Sequence, residues 1–380
     1  MIKLPHPFSE LPVHRLSYPN PSPIHLLSNL TSSLHDQRCE GRPEVKVFAK
    51  REDQAGPLPN YGNKYRKFEF IIPQILSQQP SVTTLVTEGA VQSNHTVQVA
   101  GMARHLGLKC LVLLHKNVGG GFKAARDKDL FVKAGNPQTC RMLGAEVRVT
   151  EESGTGGESG PLESVPVLDE LREQGEVPYW IPSGASLHAY GGLGYARCAF
   201  EILQQEEEML GHGHFDCIFV ACGSGSTLAG LIAGFKLVAQ IDPGRPVRRI
   251  VGVMTSRSRS LASEYERISK LINRTAERIG LSRDSTRVTY HLDDRFVGER
   301  YGVLDPDTKH TLIETLRNDG VLLDPVYTAK VMRGLQYWVR HEEYMDHIEH
   351  VEPRSSTVNV LFMHTGGQNA TNAYADELEE

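Results

Sequence analysis

Nowhere in its 380 residues is this sequence apolar for long. Its longest apolar runs are short, such as CLVLL (110–114) and VNVLFM (358–363), far below the ~20 residues that cross a bilayer. The opening MIKLPHPFSELPVHR lacks an apolar run followed by a small-residue cleavage site, so no secretory signal is expected. No basic excess exists either. A net charge of −5 leaves no electrostatic footprint for nucleic acid. Six cysteines (Cys39, Cys110, Cys140, Cys198, Cys217 and Cys222) include no CxxC pair. They are expected as reduced, buried thiols of a cytoplasmic protein rather than a disulfide framework. No repeat of fixed period occurs. What remains is the balance of a soluble globular chain, 39% hydrophobic and 23% charged, long enough for more than one domain.

Sixteen histidines raise the question of a metal site. The densest clusters are HGHF (212–215) and HEEYMDHIEH (341–350). His347 and His350 are three apart and could share a helix face. The segment is charged and runs into a polar loop, so a solvated face is expected and no metal site.

Strand-like and helix-like stretches alternate. KVFAKRE (46–52), TTLVTEG (83–89), KCLVLL and AEVRVT (145–150) read as strands. SNHTVQVAGMARHLG (93–107) reads as an amphipathic helix, and KYRKFEFIIPQIL as a helix interrupted near Pro73. A strand, a helix ending in Leu-Gly and another strand occur twice, which implies βαβ units. The expected fold class is α/β, with two domains of open parallel sheet carrying helices on both faces. Residues 1–69 and 177–380 would form the larger domain and 70–176 a smaller inserted one, with the site in the cleft between them. Residues 151–164 form a polar Gly/Ser/Glu loop.

CGSGSTLAGLIAGF (222–235) carries the clearest chemistry. A β-run ends at Cys222, and Gly223 and Gly225 permit tight, positive-φ backbone. Ser224, Ser226 and Thr227 add hydroxyls before a small-residue helix. Backbone N–H groups at a helix start make an anion site. The loop lacks the lysine of GxxxxGK[ST], and no GxGxxG is followed by a ribose-binding acid. A single phosphate monoester fits better than a nucleotide. EGAVQSNHT (88–96) is a second polar turn, where Ser93, Asn94 and His95 can bond a ring or a carboxylate, although N-capping alone explains Ser93 or Asn94. HTGGQNA (364–370), with Thr365 and Gly366, is a third. Ligands of open parallel sheets bind at strand C-terminal ends, so the three turns are expected to face one cleft. Tyr301 and Tyr327 follow further turns. A tyrosine beside a cationic cofactor can have a lowered pKa and act as base or nucleophile.

In NYGNKYRKFEF (60–70), a turn delivers Lys64 into a helix start. A solvated basic helix start is the plain alternative. A lysine near a phosphate loop and a polar cleft points instead to pyridoxal 5′-phosphate: the lysine forms the Schiff base, the loop holds the phosphate, and the ring is an electron sink.

With AKRED, GNKYRKFE, EGAVQSNHT, IPSG…HAYGGLG, CGSGST, YGV, LDPVYTAK and HTGG in this order, the chain from residue 47 to 370 resembles a known family. It is similar to the fold-type-II pyridoxal-phosphate enzymes comprising 1-aminocyclopropane-1-carboxylate (ACC) deaminase and D-cysteine desulfhydrase, whose fold is tryptophan-synthase-β-like. The resemblance implies Lys64, rather than Lys67, as the cofactor lysine. It implies Ser93 near the substrate carboxylate and Asn94 near the cofactor's phenolate oxygen. His95 and Gly366 are carried with these turns as substrate contacts. Ser224, Gly225, Ser226 and Thr227 would surround the phosphate, and Tyr301 and Tyr327 would face substrate. Thr328 and Thr365 would border the cofactor. The resemblance also implies a homo-oligomer, expected as a dimer, with a small amino acid as substrate.

Some positions depart from the ACC deaminase pattern. Thr328 stands where DPVYEGK has glutamate, and Thr365 where HLGG has leucine. Tyr61 replaces a common glycine, and HKNVGGG (115–121) replaces a tryptophan-containing loop. HAYGGLG is closer to ACC deaminase. The loss of a carboxylate at position 328 favours β-elimination from D-cysteine, giving pyruvate, ammonia and sulfide. ACC deamination to 2-oxobutanoate and ammonia is the alternative, with an altered substrate third. A non-catalytic cofactor-binding protein and a histidine-based metal hydrolase are readings from other classes.

Overall fold

The alternating pattern folds into two sheets joined by helices. The computed structural model describes residues 3–36, 43–151, 166–256, 260–282, 288–347 and 357–378. Cys39, His350 and all of the 151–164 loop after Glu151 lie outside the described residues.

The strands are β1 (Ile24–Leu26), β2 (Glu44–Arg51), β3 (Thr84–Ala90), β4 (Lys109–His115), β5 (Glu146–Thr150), β6 (Pro178–Ile181), β7 (Cys217–Cys222), β8 (Arg249–Met254), β9 (Thr289–Asp293) and β10 (Thr357–His364). Six form one sheet in the order β1-β2-β10-β7-β8-β9, and four form the other in the order β5-β4-β3-β6. Every pairing is parallel except that of β1 with β2, which adds one antiparallel edge to the expected parallel architecture. The boundary expected at residue 176 falls one strand early. Pro178–Ile181 pairs with β3, so the smaller sheet reaches Ile181.

Central strands of a parallel sheet are covered on both faces and read as unbroken apolar runs. CIFVAC in β7 is such a run. Ile218, Val220 and Cys222 join one core with the helices Leu193–Leu210 and Ser226–Ile241. Cys217 and Phe219 point the other way, to a core containing Trp338 of the helix Thr328–Arg340. The smaller sheet packs Leu85, Val112 and Leu114 against the helices Asn63–Leu76 and Asn94–His105. The five described cysteines are free and buried. Among the described residues, no helix is long and apolar enough to cross a membrane.

The helix beginning at Asn63 runs unbroken through Pro73 to Leu76, against the interruption expected there. A proline removes the N–H that would bond the carbonyl four residues back. That carbonyl belongs to Glu69, and the backbone N–H of His14 donates to it instead at 2.8 Å. Arg66, one turn from the helix start, anchors the helix from its other side. It bonds Glu52 at 2.7 Å and Glu201 at 2.9 Å, while Lys50 Nζ lies 2.7 Å from Glu201. All four side chains are buried. Glu52, Cys198 and Glu201 are the one group of metal-capable ligands gathered among the described residues. Arg66 and Lys50 already neutralise its carboxylates, which leaves no charge for a metal ion to balance.

Candidate active site

The C-terminal ends of both sheets open on one cavity of about 930 Å³. All three glycine turns reach it, as expected: Ser93, Asn94 and His95 from the first, Ser224, Gly225 and Thr227 from the second, Thr365 from the third. Lys64, Tyr301 and Tyr327 line it as well.

Lys64 is fixed by its own backbone. The Asn63 N–H donates to the Thr365 carbonyl at 3.1 Å, and the Lys64 N–H donates to Gln98 Oε1 at 3.0 Å. Its ammonium stands 5.3 Å from the centre of the Tyr327 ring. Burial pulls the amine down to about 8, against the opposing pull of the Asp324 carboxylate. Lys67, one turn on, is also buried, and its ammonium bonds only neutral acceptors in the described structure, Gly184 O at 3.0 Å and Ser226 Oγ at 2.8 Å. Burial and the nearby Lys64 hold its amine well below the usual lysine range.

The phosphate-type loop has the predicted form. Gly225 takes φ 93° and delivers the chain into the helix Ser226–Ile241, whose first N–H groups no side chain caps. Arg267, from the helix Leu261–Ile279, sets the loop's orientation. It donates to Ser224 O at 2.6 Å and Gly223 O at 3.1 Å, and pairs with Glu264 at 2.6 Å. With the carbonyls held by Arg267, the loop's N–H groups are left for the cavity. Asn63 Nδ2 donates to Thr227 Oγ1 at 2.9 Å and ties the lysine helix to the loop. Ser226 departs from its expected place: its hydroxyl turns to Lys67 and it does not line the cavity.

At the first turn, Ser93 caps the helix Asn94–His105 by accepting from the His95 N–H at 3.3 Å. Asn94 Oδ1 accepts from Asn136 at 2.7 Å. His95 Nε2 lies 2.9 Å from the Thr87 hydroxyl. Its Nδ1 is buried without a partner among the described residues. Burial, then Lys64 and Lys67, push this imidazole well below its usual value, which keeps it neutral.

Tyr301 and Tyr327 are brought together, and their hydroxyls share a hydrogen bond. From the protein groups alone, burial pushes Tyr301 up to about 12 and Tyr327 well above the usual range, so the two phenols form a neutral pair. The lowering expected beside a cationic cofactor belongs to the loaded site. Gly120 N–H donates to the Tyr301 carbonyl at 2.8 Å. A Cβ on Gly119, at φ 76°, would lie 2.6 Å from Tyr301 Cδ1. The glycines of HKNVGGG are what let this loop close on the tyrosine.

Two more of the expected site residues lie elsewhere, and Tyr61 is in the core. Thr328 does not line the cavity; its hydroxyl bonds Asp324 Oδ1 at 2.7 Å. Gly366 sits behind the wall, where a Cβ would come within 2.5 Å of Tyr61 O. Tyr61 stacks on Tyr65 with ring centres 4.8 Å apart, inside the core rather than in the cavity. The sequence reading missed Arg267, which sits on a surface-patterned helix without a motif. It also missed Glu88 and His115, polar residues at the ends of β3 and β4.

The donor set fits pyridoxal phosphate. Lys64 lines the cavity and Lys67 is buried outside its lining, with no carboxylate hydrogen-bonded to either among the described residues. An uncapped helix start stands beside them. Thr255 Oγ1 is buried and without a partner among the described residues, 3.2 Å from where a Cβ on Gly223 would be. A buried amine with a lowered proton affinity suits condensation with an aldehyde, and the uncapped helix start suits a phosphate.

Comparison with known proteins agrees. A family model described as pyridoxal-phosphate dependent enzyme matches residues 20–349. A 1-aminocyclopropane-1-carboxylate deaminase of Burkholderia multivorans is 36% identical over 355 residues, 93% of this chain and 94% of that protein. The crystal structure of an ACC deaminase homologue superposes with TM-score 0.75 at 27% identity, covering 98% of this chain and 96% of the other. A hydrogen sulfide-producing enzyme of Fusobacterium nucleatum shares the fold, with TM-score 0.55 at 13% identity over 97% of this chain and 99% of its own.

Proposed function

Because the chain belongs to the ACC deaminase family of pyridoxal-phosphate dependent enzymes, we propose that it deaminates a small amino acid to a 2-oxo acid and ammonia, with ACC as the substrate. The observation that carries this reading is the joining of Lys64, Ser93 and the Tyr301–Tyr327 pair in one cavity. When bound, pyridoxal phosphate supplies an electron sink for charge that develops on the substrate. Lys64 would hold it through the amine, and Ser224, Thr227 and the helix start behind Gly225 would hold its phosphate.

The chain's own groups divide the remaining work. The Ser93 hydroxyl, at the start of the helix Asn94–His105, would orient a substrate carboxylate together with the helix's first N–H groups. The two phenols share one hydrogen bond, so a proton can pass between their oxygens and be delivered at the substrate. Neutral His95 adds no positive charge beside the two lysines. Val118, Gly119 and Tyr301 form part of the cavity wall.

The absence of glutamate at position 328 is outweighed by the likeness of the whole chain, because the 36%-identical relative carries ACC in its name. Thr328 does not line the cavity, and its hydroxyl bonds Asp324 Oδ1 at 2.7 Å. D-Cysteine remains the second reading, favoured by the hydroxyl side chain of Thr365 at the cavity wall.

Cofactor-loaded protein and its Lys64→Ala variant, given ACC and D-cysteine separately, decide between them when ammonia and the oxo acid are identified by mass. 2-Oxobutanoate from ACC, lost in the variant, is the expected result. Pyruvate and sulfide from D-cysteine with no 2-oxobutanoate from ACC would overturn it.

A further inference from the structure

The segment after Thr365 reaches both halves of the site, and none of its residues has a part in the reaction described above. Thr365 stands in the cavity wall, and the chain then turns into the 3₁₀ helix Gln368–Tyr374. Asn369 Nδ2 donates to Asn136 Oδ1 at 3.2 Å, and Asn136 Nδ2 donates to Asn94 Oδ1 at 2.7 Å, which ends at the turn carrying Ser93. At the other end of the same short helix, the Tyr374 hydroxyl donates to the Gly302 carbonyl at 2.6 Å. Gly302 directly follows Tyr301.

Tyr374 is 2% exposed. Its ring meets Phe131 of the helix Lys128–Lys133 edge to face, with centres 5.3 Å apart. Val91, Ala125, Val326 and Ala373 complete this small core, and Tyr301 and Tyr327 pack against it. Phenylalanine at position 374 would fill the core equally well; the hydroxyl adds the bond to Gly302. Burial, then Tyr301, Glu377 and Asp324, push the phenol well above the usual range, so the proton it donates stays in place.

Gly302 takes φ 79°, which puts the peptide after Tyr301 in a left-handed turn outside any sheet or helix. A buried carbonyl in such a turn depends on another part of the chain for its partner. Two consecutive carbonyls of the turn are held. Gly120 N–H, from the loop after β4, donates to Tyr301 O at 2.8 Å, and Tyr374 holds the next one. The Tyr301 phenol stands at the far end of a lever from this backbone, and its bond to Tyr327 requires the two oxygens to meet. Slack in the turn therefore parts the phenols while leaving Lys64, fixed through Thr365 and Gln98, where it is.

We propose that Tyr374 is a positioning residue for the tyrosine pair: by holding the Gly302 carbonyl, its hydroxyl keeps the Tyr301 phenol in register with Tyr327 for proton delivery at the substrate. This deepens the deaminase reading and rests on it.

The test is a double-substitution cycle of Tyr374→Phe with Tyr301→Phe in cofactor-loaded protein, with ACC and D-cysteine supplied separately and product accumulated over hours so that slow variants are read. Tyr374→Phe is expected to lower kcat about tenfold, inside the ~100-fold that a 1 Å misplacement at the chemistry costs, while KM and the cofactor's dissociation constant hold. In the Tyr301→Phe background the same substitution is expected to change kcat no further, because the phenol it positions is gone. An equal fall in both backgrounds is what a merely structural role gives, and it would overturn the proposal. So would an undiminished kcat in Tyr374→Phe, or loss of its cofactor band. Turnover of neither amino acid by wild type would overturn the deaminase reading and the proposal with it. Turnover of D-cysteine alone would remove ACC, and the cycle run on D-cysteine would then uphold or overturn Tyr374 by the same criteria.

Discussion

Lys64 and Lys67 differ in what surrounds their amines, and the roles proposed for them rest on that difference. Lys64 reaches the open cavity beside Tyr327, whereas Lys67 is tethered to the phosphate loop through Ser226. Burial lowers Lys64 to about 8 from the ordinary 10.5. Only the neutral amine captures an aldehyde. The rate of cofactor capture by cofactor-free protein is therefore expected to rise about tenfold per pH unit up to about pH 8 and then level off. Stopped-flow absorbance against pH measures this, and a midpoint near that of an exposed lysine would contradict it. The unfolded chain binds more protons than the folded one between the two values. Lys64 thus makes the cofactor-free protein gain stability as pH rises through that window. Lys67→Met removes the amine that donates to Ser226 Oγ on the glycine loop. The cofactor's dissociation constant, followed by its absorbance, is expected to rise up to about tenfold, the worth of one ordinary hydrogen bond.

At the scale of elements, the site depends on how loops meet helix starts. Gly225 is one of the few positions where the backbone itself requires glycine. Its φ is 93°, and a Cβ there would lie 2.5 Å from Ile268 Cδ1 and 2.8 Å from Arg267 Nη1. Gly225→Ala is expected to cost about 1–3 kcal/mol of stability in thermal unfolding and to weaken cofactor binding. Arg267→Ala frees the carbonyls of Gly223 and Ser224 and is expected to speed cofactor release, read as transfer to an excess of apo-acceptor enzyme. An unchanged release rate would mean the loop holds its shape without Arg267. These elements were unequally legible. Strand–turn–helix units carry their own local pattern, so β3, β4, β5 and β7 and the glycine turns could be read from sequence. Strand β6 is short, and only its pairing with β3 assigns it to the smaller sheet. The helix through Pro73 was unreadable because its compensating donor, His14, is remote in sequence.

Across the whole molecule, the site lies where two sheets direct their C-terminal ends at each other, and a buried ionic network holds the helix that carries Lys64 against the larger core. Arg66 bridges Glu52 and Glu201 with little exposure. Arg66→Met would leave buried carboxylates short of a partner. It is expected to lower stability to urea by about 3–5 kcal/mol while the cavity residues remain chemically intact. The sequence placed Lys64, the three turns and both tyrosines because each is local to a motif. It could not place Glu88 with His115, or Arg267 with Ser224, because those contacts arise only when distant segments pack. Nor could it show that Thr328 turns from the cavity to Asp324, although the two lie four apart in one motif.

The central claim is that Lys64 is the residue that holds pyridoxal phosphate in this cavity. Borohydride reduction of the cofactor-loaded protein, followed by proteolysis and mass spectrometry, tests it most directly by fixing the cofactor to the amine it occupies. The account predicts a pyridoxyl-phosphate group on Lys64 and an unmodified Lys67. The group on Lys67, or on no lysine of this cavity, would contradict it.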